Sequence, residues 1–348
     1  MVVQRGDLAC CVRCTGPTAG DRLARRAVLK AAVHPPPAAP AGPRAAPRLP
    51  VLTRTALTGT VLTGTVLTGT VLDTSPQVVT FLGRDGEQRV ALAPDTTVWR
   101  GRPGDATALV PGDSVLIRLR PGLAGLAGRI WANAGRVTGL IVASGRDGLL
   151  VDAGRTSRRQ VVVIPPQATG RLQVRFPRLE PGYLLDVIGL RHPGYLEARV
   201  PATAQPPYRA GAGATPVRAR TPVPDAITGA AIWHEPACDA DAAGVRYPAL
   251  DPETACLEHP LPGSPCPHLP FLSVGSLLRI RNDCTSTACV WSVSGCAAAA
   301  PVFCDRCVTC GTSPRGRVAS LPMAGFVAMG GDLERGCFNA TVSLGQPS

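Results

Sequence analysis

Between residues 69 and 205 the chain alternates short apolar runs with turn signals, and the pattern reads strand, turn, strand throughout. GRDG stands at 83–86 and again at 145–148, and Asp-Gly between apolar runs is a strong hairpin signal. Later in each unit Pro-Gly precedes an apolar run, VPGDSVLIRL at 110–119 and EPGYLLDVIGL at 180–190. Two copies of one β unit are therefore expected, each of about 65 residues and each suited to a small five- or six-stranded barrel.

A shorter repeat comes first. LTGTVLTGTVLTGTVL fills 57–72 with a period of five. Strand side chains alternate with a period of two, so an odd repeat sends the valine of each copy to the face opposite the last. One amphipathic strand cannot use all the copies alike. Only the last copy is expected to enter the fold, as the first strand, behind a β-prone lead-in.

PPYRAGAGATPVRARTPVPD at 206–225 reads as a linker. The cysteines divide on either side of it. Three stand at Cys10, Cys11 and Cys14, and none occurs from 15 to 237. The other ten are Cys238, Cys256, Cys266, Cys284, Cys289, Cys296, Cys304, Cys307, Cys310 and Cys337. That density marks a small domain stapled by disulfides in an oxidising compartment. Within it CDRCVTCG, 304–311, has iron–sulfur-like spacing without the fourth cysteine and proline that should follow. Zinc wants a second pair with a matching gap, and a dithiol redox motif wants a thioredoxin-like context. Disulfides are the expected state, with zinc and redox chemistry the alternatives; no metal and no cofactor are expected.

Charge follows the same division. Residues 1–225 carry 29 Arg and Lys against 14 Asp and Glu, a net +15, and residues 226–348 carry 7 against 10, a net −3. A basic front of this kind suits an anionic surface, or is simply a soluble Arg-rich one. Single-strand nucleic-acid binding also needs stacked aromatics. Trp99, Trp131, Phe176 and Tyr183 are too sparse for that and read as core or rim packing, so no nucleic acid is expected. No run of 18 apolar residues occurs, so no transmembrane span is expected.

Three resemblances add to this. Arg25-Arg26-x-x-Leu29-Lys30 resembles a twin-arginine export signal, although the proline-rich HPPPAAPAGPRAAPRLP follows where an apolar helix belongs; a chance arginine pair in a disordered tail is the alternative. The paired β units resemble small OB-like barrel repeats of exported bacterial proteins. PVFCDRCVTCG at 301–311 resembles the V-x-V-x-D-R-C-x-x-C segment of barwin, expansin and rare-lipoprotein-A-like domains. GAAIWHEP at 229–236, HLPFLSVGSLLRIRN at 268–282, GRVASLPMAGFVAMGG at 316–331 and GCFNATVSL at 336–344 follow that family's other segments in order.

The resemblance implies a mainly β chain: two small OB-like β-barrels followed by a disulfide-rich six-stranded double-psi β-barrel with a short helix near 322–330. The expected parts are a basic tail with a degenerate twin-arginine-like signal at 1–56, barrels at 57–138 and 139–205, the linker at 206–225 and the double-psi barrel at 226–346. The family binds or cleaves polysaccharide in a groove, peptidoglycan in its bacterial members. Asp305 takes the position of the catalytic acid, and Trp233, His268, Arg306 and Ser320 those of glycan-binding groups; the structural alternatives are a buried loop-bonding Asp305, a surface His268 and, as the first reading of that residue, a core Trp233. Ser320 replaces the Asp of the family's D-L-S triplet, and Pro322 its Ser. A secreted or wall-associated monomer that binds or remodels cell-wall polysaccharide is expected. A lytic transglycosylase using Asp305 as acid and base, and an exported protein-binding module, are the alternatives.

Overall fold

A computed structural model describes residues 66–146, 148–153, 159–202, 226–236, 242–250, 270, 272–297, 304–305 and 315–344, with Cys304, Asp305 and Arg315 described as backbone. The tail at 1–56 and the linker at 206–225 lie outside them. The described chain is mainly β, with three closed barrels.

The first barrel holds β1 (Val66–Thr74), β2 (Val78–Gly83), β3 (Gly86–Trp99), the two-residue β4 (Pro103–Gly104), β5 (Ser114–Leu119) and β6 (Leu126–Ala132). Its strands close in the order β1-β2-β3-β6-β5, with β3 and β6 parallel. The second holds β7 (Ala134–Gly145), β8 (Gly148–Asp152), β9 (Gln160–Val163), helix α1 (Pro166–Arg175), β10 (Leu184–His192) and β11 (Tyr195–Pro201). It closes as β7-β8-β9-β11-β10, with β9 and β11 parallel. The two orders are the same.

The likeness extends to single bonds. Each GRDG closes a hairpin, with Gly83 opposite Gly86 and Gly145 opposite Gly148, and both second glycines have positive φ. Each Pro-Gly turn puts its glycine at φ 92°, left-handed backbone that only glycine adopts cheaply. Gly112 N–H donates to the Val71 carbonyl at 2.8 Å, and Gly182 N–H donates to the Ile141 carbonyl at 2.8 Å. A bulge follows each acceptor, between Val71 and Asp73 and between Ile141 and Ala143. The join between the barrels is Asn133 rather than residue 138. Held at φ 48°, it accepts from Ser114 N–H at 2.8 Å and donates to Asp113 at 2.6 Å.

The third barrel holds β12 (Ile227–His234), β13 (Val245–Tyr247), β14 (Leu277–Asn282), β15 (Ala288–Cys296), β16 (Cys304–Asp305), β17 (Arg315–Pro322), helix α2 (Met323–Ala328) and β18 (Cys337–Leu344). Six strands close in the order β12-β18-β14-β15-β13-β17, and β16 adds to the edge of β17. The pairs β12–β17 and β13–β15 are parallel.

The continuous apolar runs in the sequence have a common cause. In β10, Leu185 and Val187 fill the second barrel, while Ile188 and Leu190 on the other face join the core of the third. In β5, Val115 and Ile117 fill the first barrel and Leu116 joins that same core. Strands covered on both faces lose the alternation that marks a half-exposed strand. Trp99, Trp131, Ile188 and Leu190 thus merge three barrels into one apolar body with Trp233, Phe326 and Phe338.

Charge pairs hold the same junction. Asp186 lies mid-β10 on its junction face and is fully buried. Arg136 of β7 donates to it from Nε at 2.9 Å and from Nη2 at 2.7 Å, Thr138 donates at 2.7 Å, and Arg317 of β17 also pairs with it. Arg136 Nη1 donates to the Gly336 carbonyl at 2.6 Å, and Glu235 accepts from Arg136 N–H at 2.8 Å and from Arg191 Nε at 3.0 Å. On the first barrel, Trp131 Nε1 donates to Glu334 at 2.6 Å, Arg118 pairs with Asp332 at 3.2 Å, and Arg129 pairs with Glu334. Part of the basic front is therefore matched by the acidic back within the molecule.

Burial alone pushes the Asp186 carboxyl up, but the charges of Arg136 and Arg317 and the bonds from Arg136 and Thr138 outweigh it, holding it well below the usual range. Asp186→Asn leaves two buried guanidinium groups short of charge and should cost about 3–5 kcal/mol in denaturant unfolding at pH 7. Because the folded value is depressed, this stability is complete well above the unfolded value of about 3.9 and is lost as pH falls through the folded one. The gap between parent and variant should stay constant from about pH 7 to 5 and narrow below about pH 4.

Candidate functional site

The parallel pairing of β12 and β17 sets Ile232 beside Ser320 and His234 beside Pro322. Ala231 and Trp233 point into the main core. Ala230 and Ile232, on the alternate face, form a separate small cluster with Ala297 and Cys337. His234 shares that alternate face by parity, and its Nδ1 meets Ser320 Oγ at 3.0 Å. Both are nearly enclosed, His234 at 9% exposure and Ser320 at 3%. Arg246 of β13 pairs with Ser320 from the other side of β17.

Of the two readings of Trp233, core or glycan platform, burial removes the second. A glycan-stacking ring needs an open face, and Trp233 is 1% exposed. Its Nε1 donates to the Leu333 carbonyl at 2.9 Å, and the Arg136 guanidinium lies 5.8 Å from its ring centre. It is a core residue that ties β12 to the 3-10 turn Leu333–Arg335 and to the second barrel.

Asp305 lies on β16, opposite Arg315. Ser320 stands five residues further along β17, about 16 Å on in an extended strand. The backbone thus sets Asp305 and Ser320 toward opposite ends of one strand. Ser320 itself offers a hydroxyl and no carboxylate, and a hydroxyl is no general acid at working pH. What remains there is a serine–histidine hydrogen bond. His268, Arg306 and the side chain of Asp305 lie outside the described residues.

So do Cys238, Cys256, Cys266, Cys307 and Cys310, and Cys304 is described only as backbone. Cys284 is disulfide-bonded. Cys296 is a buried free thiol, which departs from the expectation that all ten cysteines are oxidised. It ends β15 opposite Tyr247 and packs in the main core, where a thiol serves as a small apolar side chain. Burial also pushes the Cys289 thiol up, away from the thiolate that disulfide exchange needs. Cys337 packs beside Ile232 in the small cluster.

Among the described residues, no group of three or more His, Cys, Asp or Glu could hold a metal ion, and no helix is long and apolar enough to cross a membrane. The ionic groups nearest this site in the chain, Glu235 and Arg317, were not singled out in the sequence; the one signal was Asp186, a lone charge inside the apolar run LLDVIGL. No protein-family model and no curated protein matches the chain.

Two outcomes follow from this geometry. Under native conditions an alkylating reagent should leave Cys296 unmodified; after denaturation without reductant it should add to Cys296, while Cys284 reacts only once reduced, as read by peptide mass spectrometry. Ser320→Ala removes one buried hydrogen bond and should lower stability by about 1 kcal/mol, measured by denaturant unfolding.

Proposed function

We propose that the protein is an exported binder of cell-wall polysaccharide, peptidoglycan above all, whose third barrel is a double-psi barrel of the expansin and rare-lipoprotein-A kind. The first two barrels are then OB-like supports. One observation carries this reading. The segments GAAIWH, LLRIRN, CD, GRVASLP with MAGFVA, and CFNATVSL fall on β12, β14, β16, β17 with α2, and β18, in the order of the segments that resemble that family. Two parallel pairs within a closed six-stranded barrel agree with it.

Binding is favoured over lytic cleavage. Ser320 supplies no carboxylate, and the strand carrying Asp305 pairs about 16 Å along β17 from it. The role left to Asp305 is to accept a hydrogen bond from a sugar hydroxyl. The junction supports such a role, because β12 and β17 are braced from behind by Arg136, Asp186 and Glu235. A surface already rigid loses little entropy when it engages a stiff glycan.

The test is co-sedimentation of the folded protein with purified peptidoglycan, with released anhydro-sugars assayed in the same tubes. Binding without release is expected. Asp305→Asn keeps the side-chain shape and loses the charge; it should weaken binding by about tenfold, the equivalent of about 1–2 kcal/mol for one charge-assisted hydrogen bond, with native melting retained. Absence of binding, or unchanged binding in folded Asp305→Asn, removes this reading. Release of anhydro-sugars that Asp305→Asn abolishes replaces it with the lytic one.

A further inference from the structure

Five pentads lie end to end at 51–75: VLTRT, ALTGT, VLTGT, VLTGT and VLDTS. β1 is built from the fourth and most of the fifth. The odd period works here because both faces of β1 are used. Val66 packs outward against the core at the junction, while Leu67 packs into the first barrel. One pentad later the roles exchange: Val71 is buried in the first barrel and Leu72 is exposed.

A shift of five residues therefore returns the same side chain to the same slot. Val61 would replace Val66, Leu62 would replace Leu67, Val66 would replace Val71 and Leu67 would replace Leu72. The slot with the strictest demand is that of Gly69, where an added Cβ would lie 2.4 Å from the Leu82 carbonyl oxygen and 2.5 Å from the Phe81 ring. The shift supplies Gly64 there. The register seen is selected further on. Ser75 N–H donates to the Val78 carbonyl at 2.9 Å and Val78 N–H to Ser75 Oγ at 3.1 Å, closing a tight connection to β2. A shifted strand lengthens that connection from three residues to eight, which lowers its population by roughly fourfold through loop closure and further through the lost turn bonds.

We propose that the upstream pentads are spare first strands of the first barrel. When the copy in use is damaged, β1 advances by one pentad within the same molecule, residues 61–65 take the place of 66–70, and the barrel closes on an equivalent strand. The copies are thus functionally redundant in the fold and confer tolerance to lesions and to loss of whole copies.

Glycine-to-valine variants of the full-length chain test this by thermal melting and size-exclusion chromatography. Gly69→Val blocks the register seen. In the shifted register its valine falls in the slot of Thr74, a residue of the same shape whose buried Oγ1 makes no hydrogen bond among the described residues. Gly69→Val should melt within about 4 °C of the parent as a monomer. Its amides at Ser75 and Val78 should exchange faster with deuterium, while those of β5 and of the rest of β2 stay protected. Gly59→Val/Gly64→Val, with Gly69 kept, should match the parent. Gly59→Val/Gly64→Val/Gly69→Val leaves no glycine for the slot, because the next pentad supplies Arg54; it should melt more than about 10 °C lower or fail to fold. If Gly69→Val is as damaged as the triple variant, or is rescued only as a dimer, the proposal is overturned. Equal melting of all three variants and the parent overturns it as well.

Discussion

A carboxylate with no access to water, Asp186, sits where two barrels meet, and the arrangement of the whole molecule depends on keeping it satisfied. Moving such a group out of water is expensive, and attraction compensates only when the geometry is good and the remaining lone pairs are filled. Here two nitrogens of Arg136, the Thr138 hydroxyl and Arg317 surround it. Arg136 and Thr138 come from the same barrel as Asp186, whereas Arg317 comes from the third. Separation of the barrels would leave Arg317 buried without that carboxylate, or force the interface open to water. The pairing therefore fixes orientation as well as proximity, which apolar contact alone specifies poorly.

The first two barrels show how one unit acquired two different outer faces. They share strand order, bulges, hairpin turns and the bond from the Pro-Gly turn to the first strand. These features close a barrel and tolerate little change. Toward the third barrel the units part. One presents Trp131 with the guanidinium groups of Arg118 and Arg129 against its ring, meeting Glu334 and Asp332. The other presents Asp186 and Arg136. Both solutions place acidic groups of the third barrel, or a carboxylate that binds its arginine, against the basic front. The overall charge excess thus has an internal counterpart.

The same junction bears on the candidate site. Trp233, His234 and Glu235 are consecutive, yet the first faces the core, the second meets Ser320 and the third grips Arg191 of the second barrel. Strand alternation separates Trp233 from His234, and Glu235 follows the end of β12, so this short segment serves as core, site and brace at once. The wall-binding proposal draws on that stiffness and on the order of the matching segments. It does not require Ser320 and Asp305 to act together, and the register of β16 on β17 sets them apart.

Local chemistry made much of the fold legible. Asp-Gly and Pro-Gly turns, short apolar runs and the duplication fall where glycine's left-handed backbone and strand alternation require them, and these need only a few adjacent residues. The odd-period repeat likewise predicted valines on opposite faces, as Val66 and Val71 are. Other features were decided by residues far apart in the chain. The run LLDVIGL read only as an apolar strand after a turn; that both its faces are covered, and which arginines meet Asp186, depend on distant residues, Arg317 lying 131 residues away. Core and sugar platform were both open for the tryptophan at 233 in the sequence, and the contacts with Leu333 and Arg136 that make it core come from elsewhere in the chain. Cys296 joined a dense set of cysteines in the sequence, yet its strand position buries it as a thiol, because disulfide formation depends on the distance and direction between two Cβ atoms, which spacing along the chain does not specify.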